Sequence, residues 1–167
     1  ISSITRTNLL LAAGSDKILT CPGLRAPFTN SQPWFYDKEA GRYGWVLGYH
    51  YLGGHGGTPW DPIGGATNVW VSPQKLSEAT NSTVLADLNV WSPGEDQTYA
   101  PHGARGPVLQ LSFSGNSGLG GIPSAEIGAA GGNVASTDGS VVWKPMKKMQ
   151  VYRGSRFWDE AGAFGAW

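Results

Sequence analysis

Charge is scarce in this chain. Twelve Lys and Arg balance twelve Asp and Glu, so the formal net charge is zero and only 14% of the 167 residues are charged, against about 25% in an ordinary domain. Such a chain has no long-range field to gather nucleic acid or an anionic membrane surface. A polar, weakly charged surface suits packing against copies of itself or other proteins, and equally suits a secreted β domain. Cysteine is scarcer still. Cys21 is alone, which excludes an intramolecular disulfide, and its place after the apolar Ile18-Leu19 reads as burial. No run of 18 apolar residues occurs, so no segment reads as a membrane-crossing helix.

Catalytic and ligand-binding motifs are equally thin. There is no Gly-x-Ser-x-Gly elbow, no Gly-x-x-x-x-Gly-Lys-Ser/Thr phosphate loop, and Gly118-Leu119-Gly120 is not completed to a dinucleotide fingerprint. The histidines are His50, His55 and His102. His50 and His55 lie five apart with no cysteine or acid beside them, short of the three or four ligands a zinc site takes. Asp87, Asp96, Asp138 and Asp159 can offer oxygen ligands to calcium, but no Asp-x-Asp-x-Asp-Gly loop is present, which excludes an EF-hand. Asn81-Ser82-Thr83 matches a glycosylation acceptor, and a polar cluster at the start of a strand explains it as well.

What the chain does have is glycine, proline and tryptophan. The 25 glycines and 11 prolines make 36 of 167 residues, about 22%, below the range that signals disorder. Eight tryptophans argue for a packed fold of short strands, many turns and long loops, with residues 1–167 forming one domain. A short helix is expected over 1–13 with Gly14 as its stop, then a strand over 17–21 and a loop over 23–41. Tyr43, Trp45, Leu47, Tyr49 and Tyr51 share one parity and predict a strand over 43–51. A loop over 53–65, a short strand over 68–71 and a helical turn over 73–79 follow. The apolar Val84-Leu85-Ala86 run predicts a central strand over 82–89. Residues 91–107 read as loop, 108–113 as a half-buried strand, and 115–130 as a Gly/Ser/Ala stretch and the mobile segment. A turn over 145–149 and an aromatic tail close the chain. Trp34, Phe35, Trp60, Trp91 and Trp158 fall in these loops or near the end; they can be core anchors, seal subunit contacts or stack on sugar rings.

The sharpest local feature is Gly131-Gly132-Asn133-Val134-Ala135-Ser136-Thr137-Asp138-Gly139-Ser140-Val141-Val142-Trp143. Asp138-Gly139 between strand formers predicts a hairpin with a two-residue type I′ turn. That turn sets Ser136 against Val141, Ala135 against Val142 and Val134 against Trp143. Val134, Ser136, Val141 and Trp143 then share an inward face, and Asn133, Thr137, Ser140 and Lys144 the outward one.

The same residues, with Trp143-Lys144-Pro145-Met146 and Met149 after them, resemble the C-terminal signature of bacterial prepilin-type, pseudopilin-like proteins, in which a histidine stands ten positions before the aspartate of an Asp-Gly pair. Val151-Tyr152-Arg153-Gly154-Ser155 with Trp158 and Trp167 resembles the tail of one subgroup. Thr20-Cys21-Pro22-Gly23 resembles the entry to the globular part, Tyr43 to Tyr49 the Tyr-Gly-rich strand, and Thr83 to Asp87 the apolar strand ending in aspartate. The chain departs at one point: Gly128 stands ten before Asp138, and the nearest histidine is His102-Gly103. The resemblance implies an α+β, pilin-like head with a mainly antiparallel sheet, short helices and long Gly/Pro-rich loops, its apolar filament helix lying ahead of Ile1. It implies a non-enzymatic subunit of a pilus or pseudopilus-like filament at the cell surface or outside the cell. Its partners would be itself or related subunits, with membrane contact only through the missing helix and with Leu9, Leu10 and Leu11 close to the sheet in the assembly. It implies no cofactor beyond calcium, held by oxygens near the C-terminal strands with Asp138 and Asp87 as the candidates, and no histidine as ligand. The alternative from the residues alone is a secreted carbohydrate- or ligand-binding β domain using loop tryptophans.

Overall fold

The computed structural model describes residues 1, 3–19, 21–24, 47–56, 60–63, 70–75, 77, 82–94, 96–111, 121–154 and 163–167. The chain divides into two units, Ile1–Tyr51 and Leu52–Trp167. In the first, helix α1 (Ser3–Ala13) ends as expected at Gly14, whose φ of +67° lets its N–H close on the Leu10 carbonyl at 2.9 Å. No residue of α1 is buried; Ile4 and Leu11 are 75% and 78% exposed, while Leu9 and Leu10 are half-buried. The strand predicted over 17–21 is instead a 3₁₀ turn, Asp16–Leu19. The Ser15 hydroxyl accepts from the Lys17 N–H at 3.2 Å, the local side-chain bond by which Ser-Asp sequences favour turns over strands. Cys21 is buried, as its apolar neighbours suggested. Of the strand predicted over 43–51, β1 (Tyr49–Tyr51) is the part observed, with Leu47 and Gly48 outside it. Residues 25–46, and with them the aromatic cluster Trp34-Phe35-Tyr36, lie outside the described residues.

The second unit is built from β2 (Trp60–Pro62), β3 (Thr83–Asp87), β4 (Val90–Ser92), β5 (Gln97–Gly103), β6 (Gly106–Leu111), β7 (Gly131–Ser136), β8 (Val141–Pro145), β9 (Val151–Gly154) and β10 (Ala163–Ala166). One sheet runs β3–β7–β8, and a second runs β2–β9–β10–β4–β5–β6. Every strand pairing in these two runs is antiparallel. The protein is thus β-rich, with mainly antiparallel sheets and one α-helix among the described residues. Strand β3 matches the central strand expected over 82–89, and β6 the strand expected over 108–113, begun two residues earlier.

The second sheet corrects several expectations. Residues 91–107, read as loop, supply most of β4, all of β5 and the start of β6. Gln97, Thr98, Tyr99, Ala100 and Pro101 are all buried, so β5 shows no polar–apolar alternation from which a strand could be read. Its polar groups bond internally instead. Tyr99 Oη donates to Gln97 Oε1 at 2.8 Å, and Thr98 Oγ1 donates to the Ile122 carbonyl at 2.7 Å. The second of these bonds docks a segment expected to be mobile. Ser124, fully buried, donates to the Tyr99 carbonyl at 3.3 Å, so residues 121–130 form packed turns. The loop expected over 53–65 holds β2, where Pro62 is tolerated because the strand ends the sheet order. Trp70 and Val71 are not in a strand, against the expectation for 68–71. The residues described between 73 and 79 include no helical turn. Pro145 to Met149 turns as expected, through a 3₁₀ turn at Met146–Lys148.

The core of this unit gathers Leu52, Trp70, Ala86, Val134, Tyr152 and Trp167, with Met149 against it. The Trp167 ring stacks on Tyr152 at 4.3 Å and meets Trp70 edge-on at 5.8 Å. Its main chain is tied to Gln150 in both directions, at 2.9 and 3.2 Å. The terminal tryptophan is therefore a structural residue, and burying a ring of that size contributes about 3 kcal/mol.

Candidate functional site

The β7–β8 hairpin exists where the sequence placed it, but its register is shifted by one residue. Val134 pairs with Val142, Ala135 with Val141 and Asn133 with Trp143. Val134 and Trp143 lie on neighbouring paired strands but are not opposite one another. The turn explains the shift. A type I′ turn needs positive φ at both central residues, and here only Gly139 has it, at +83°. The Gly139 N–H reaches the Ser136 carbonyl at 3.0 Å, and the Ser136 N–H reaches the Ser140 carbonyl at 3.0 Å. That is a type I turn followed by a glycine bulge, with three residues in the loop. Asp138 Oδ1 clamps it by accepting from the Ser140 hydroxyl at 2.7 Å and the Ser140 N–H at 2.9 Å. The hydroxyl bond is the main reason its carboxyl sits below the usual carboxylate range. With the register moved, Val134 is buried at 5% exposure, while Val141, Val142 and Trp143 are exposed at 63%, 55% and 49%. The indole expected inside is at the surface.

The Gly-Gly-Asn opening of β7 has a specific use. A Cβ on Gly132 would stand 2.8 Å from Asp87 Cβ and 3.1 Å from Asn89 Nδ2. Glycine there is what lets β3 and the residues after it lie against β7 at this level. Gly131, at φ +150°, opens the strand opposite Pro145. Asn133 then donates twice to Asp87 Oδ2, from its main-chain N–H at 2.6 Å and from Nδ2 at 3.0 Å. His102 Nε2 stands 3.0 Å from the same oxygen. Asp87 is 3% exposed, so a buried carboxylate is offset by three nitrogen partners, as burial of a charge requires.

Two further contacts complete the cluster. The His102 ring meets Trp143 edge-on at 5.4 Å, and the His102 carbonyl accepts from the Ala130 N–H at 2.7 Å. Asn89 Nδ2 reaches the Gly131 carbonyl at 3.3 Å and the Met149 sulfur at 3.7 Å. Chemically, the carboxylate orients the imidazole and ties the end of β5 to β7 and β8. His102, the histidine nearest this stretch in sequence, is thereby brought beside the hairpin that opens with Gly131-Gly132-Asn133.

The remaining candidates fall elsewhere. Asp138 is at the hairpin tip, five residues along from Asn133, so it stands roughly 15 Å from the Asp87 seat by strand rise. Asp96 occupies the β4–β5 turn with φ +52°, and Asp159 lies outside the described residues. His50 is buried on β1 of the first unit, whereas the half-buried His55 of the second donates its main-chain N–H to Ser72 Oγ at 2.9 Å. Trp91 is buried and stacked on Phe164 at 5.6 Å; Trp34, Phe35 and Trp158 are outside the described residues. No family model, curated protein or solved structure matches the chain, so its functional reading rests on the residues themselves.

Proposed function

We propose that this chain is the head of a pilin-like, non-enzymatic subunit of a filament at the cell surface or outside the cell, assembling with itself or related subunits. The observation that carries the reading is the use made of the signature. Gly132 and Asn133 seat Asp87, and Asp138 and Gly139 close the hairpin. These residues serve chain architecture, while Val141, Val142 and Trp143 are left to the surface as material for contact. Exposed apolar side chains grouped in this way mark interaction sites, and the uncovered Ile4 and Leu11 of α1 add to the supply. Zero net charge removes the self-repulsion that would keep copies apart. Any resident cation in this reading is calcium, bound through oxygen near the C-terminal strands. The ligand-binding alternative is weakened at Trp91, which is spent on Phe164.

Fractionation of the full-length gene product in a host able to process prepilins tests the reading. The full-length product is expected to sediment as a polymer or to partition with membranes, with residues 1–167 alone remaining soluble. A full-length product that is monomeric, water-soluble and begins at Ile1 would overturn it.

A further inference from the structure

Strand β8 ends its sheet among the described residues and has β7 on one side only. The bond from the Ser136 N–H to the Ser140 carbonyl sets the alternation of the ladder. Val134–Val142 and Gly132–Lys144 are then the hydrogen-bonded pairs, and Ala135–Val141 and Asn133–Trp143 the non-bonded ones. The main-chain groups of Val141 and Trp143 therefore point away from β7. Pro145, which has no N–H, closes the open stretch at its far end. Three consecutive large apolar side chains cover this edge, at 63%, 55% and 49% exposure, where a protein guarding an edge would set charge.

Charge stands at the two ends of the stretch and is of opposite sign. Asp138 is at the hairpin tip, and Lys144, Lys147 and Lys148 follow the apolar run, the last two exposed. A second strand laid parallel would bring Asp138 beside Asp138 and lysines beside lysines. Laid antiparallel, it brings the acidic tip of each copy toward the basic end of the other. The edge is complementary to itself under a two-fold axis and to no other arrangement of two copies.

We propose that two copies of this chain join edge to edge through β8, antiparallel, with the two-fold axis at Val142. Val141 of each copy then pairs with Trp143 of the other, which uses the four outward main-chain donors and their acceptors. Val142 faces its own counterpart across a non-bonded site, with Cα atoms about 4.5 Å apart. A contact of three residues a side is small, so the isolated head dimerises weakly and an assembly supplies the rest by raising the local concentration. The pairing does not depend on the filament reading: it is measured on residues 1–167, and the filament is measured on the full-length product.

The first test is the Val142→Cys variant under mild oxidation. A disulfide-linked dimer is expected, because Cα atoms at that separation fit a disulfide, while the wild-type chain, whose Cys21 is buried, gives none. Ser140→Cys, two residues from the axis, should link poorly. Sedimentation equilibrium up to about 1 mM protein supplies the second. Val141→Pro removes an outward N–H but no bond to β7, and should weaken dimerisation at least tenfold while the β7–β8 amides stay protected from exchange. Asp138→Lys should weaken it as well, and adding Lys147→Asp with Lys148→Asp should restore it. A wild-type chain monomeric throughout, equal linking at positions 140 and 142, or a Val141→Pro variant that associates normally would each overturn the proposal. Capture of a different protein by β8 in place of self-pairing would do the same.

Discussion

Replacing Asp87 by Asn keeps the shape of the side chain and removes its charge. In the native protein one carboxylate oxygen takes the Asn133 N–H at 2.6 Å, Asn133 Nδ2 at 3.0 Å and His102 Nε2 at 3.0 Å. Hydrogen bonds to a charged group contribute about 1.5–3 kcal/mol each, and neutral ones about 0.5–1.5. Downgrading three bonds loses roughly 1 kcal/mol apiece. Because the three share one oxygen and do not add fully, the net cost should be about 2–3 kcal/mol. For a chain of this length that corresponds to a fall in Tm of roughly 5–10 °C. Thermal and urea unfolding followed by tryptophan fluorescence would read it. A cycle with Asn133→Ala should return a coupling above about 0.5 kcal/mol, since both variants act on the same bonds. An Asp87→Asn variant within about 1 kcal/mol of wild type would show that the buried carboxylate is not what ties β3 to β7.

Gly132→Ala pushes a Cβ to 2.8 Å from Asp87 Cβ, and unfolding should show a cost of about 1–3 kcal/mol together with loss of the His102–Trp143 contact by NMR. Tyr99 is buried and its pKa is raised far above the ordinary value of 10.0. Its contribution is therefore complete below pH 10 and lost as pH rises above it, at about 1.4 kcal/mol per pH unit; Tyr99→Phe should flatten this alkaline limb, apart from the part due to Tyr152, whose pKa burial also raises. Asp138, held low chiefly by the Ser140 hydroxyl, has the opposite sign: its contribution is present above the usual 3.8 and lost as pH falls through the lowered folded value. Asp138→Asn should accordingly shrink the acid-side loss of stability, and chemical denaturation at pH values either side of 3.8 would show it.

The β7–β8 hairpin was legible because Asp-Gly between strand formers is a local code. Its register was not, because one residue's φ separates a type I′ turn from a type I turn with a glycine bulge, and that choice moves Trp143 off the face that carries Val134. Helix α1 was bounded correctly by Gly14, a backbone requirement written in one residue. Strand β5 was hidden for a different reason. It is buried on both faces and carries Gln97, Thr98 and Pro101, so its polarity and proline look like a loop when only neighbours in sequence are read. The packed turns over 121–130 were hidden likewise, since the bonds that hold them come from Thr98 and Ser124 to main-chain carbonyls some 25 residues distant. The Asp87–His102 contact spans β3 and β5, and no spacing rule reaches it. What signal there was lay in Asp87 ending an apolar strand and in the Gly-Gly-Asn that makes room for it.

Amide hydrogen exchange at β8, compared between dilute and concentrated solutions of the chain, tests most directly whether two copies join through the hairpin edge. In the dilute chain the N–H groups of Val142 and Lys144, bonded to β7, should exchange slowly, and those of Val141 and Trp143 rapidly. In the concentrated solution the latter two should become protected as well, by an order of magnitude or more. Val141 and Trp143 amides that are already slow in the dilute chain, or that stay fast in the concentrated one, would contradict the account.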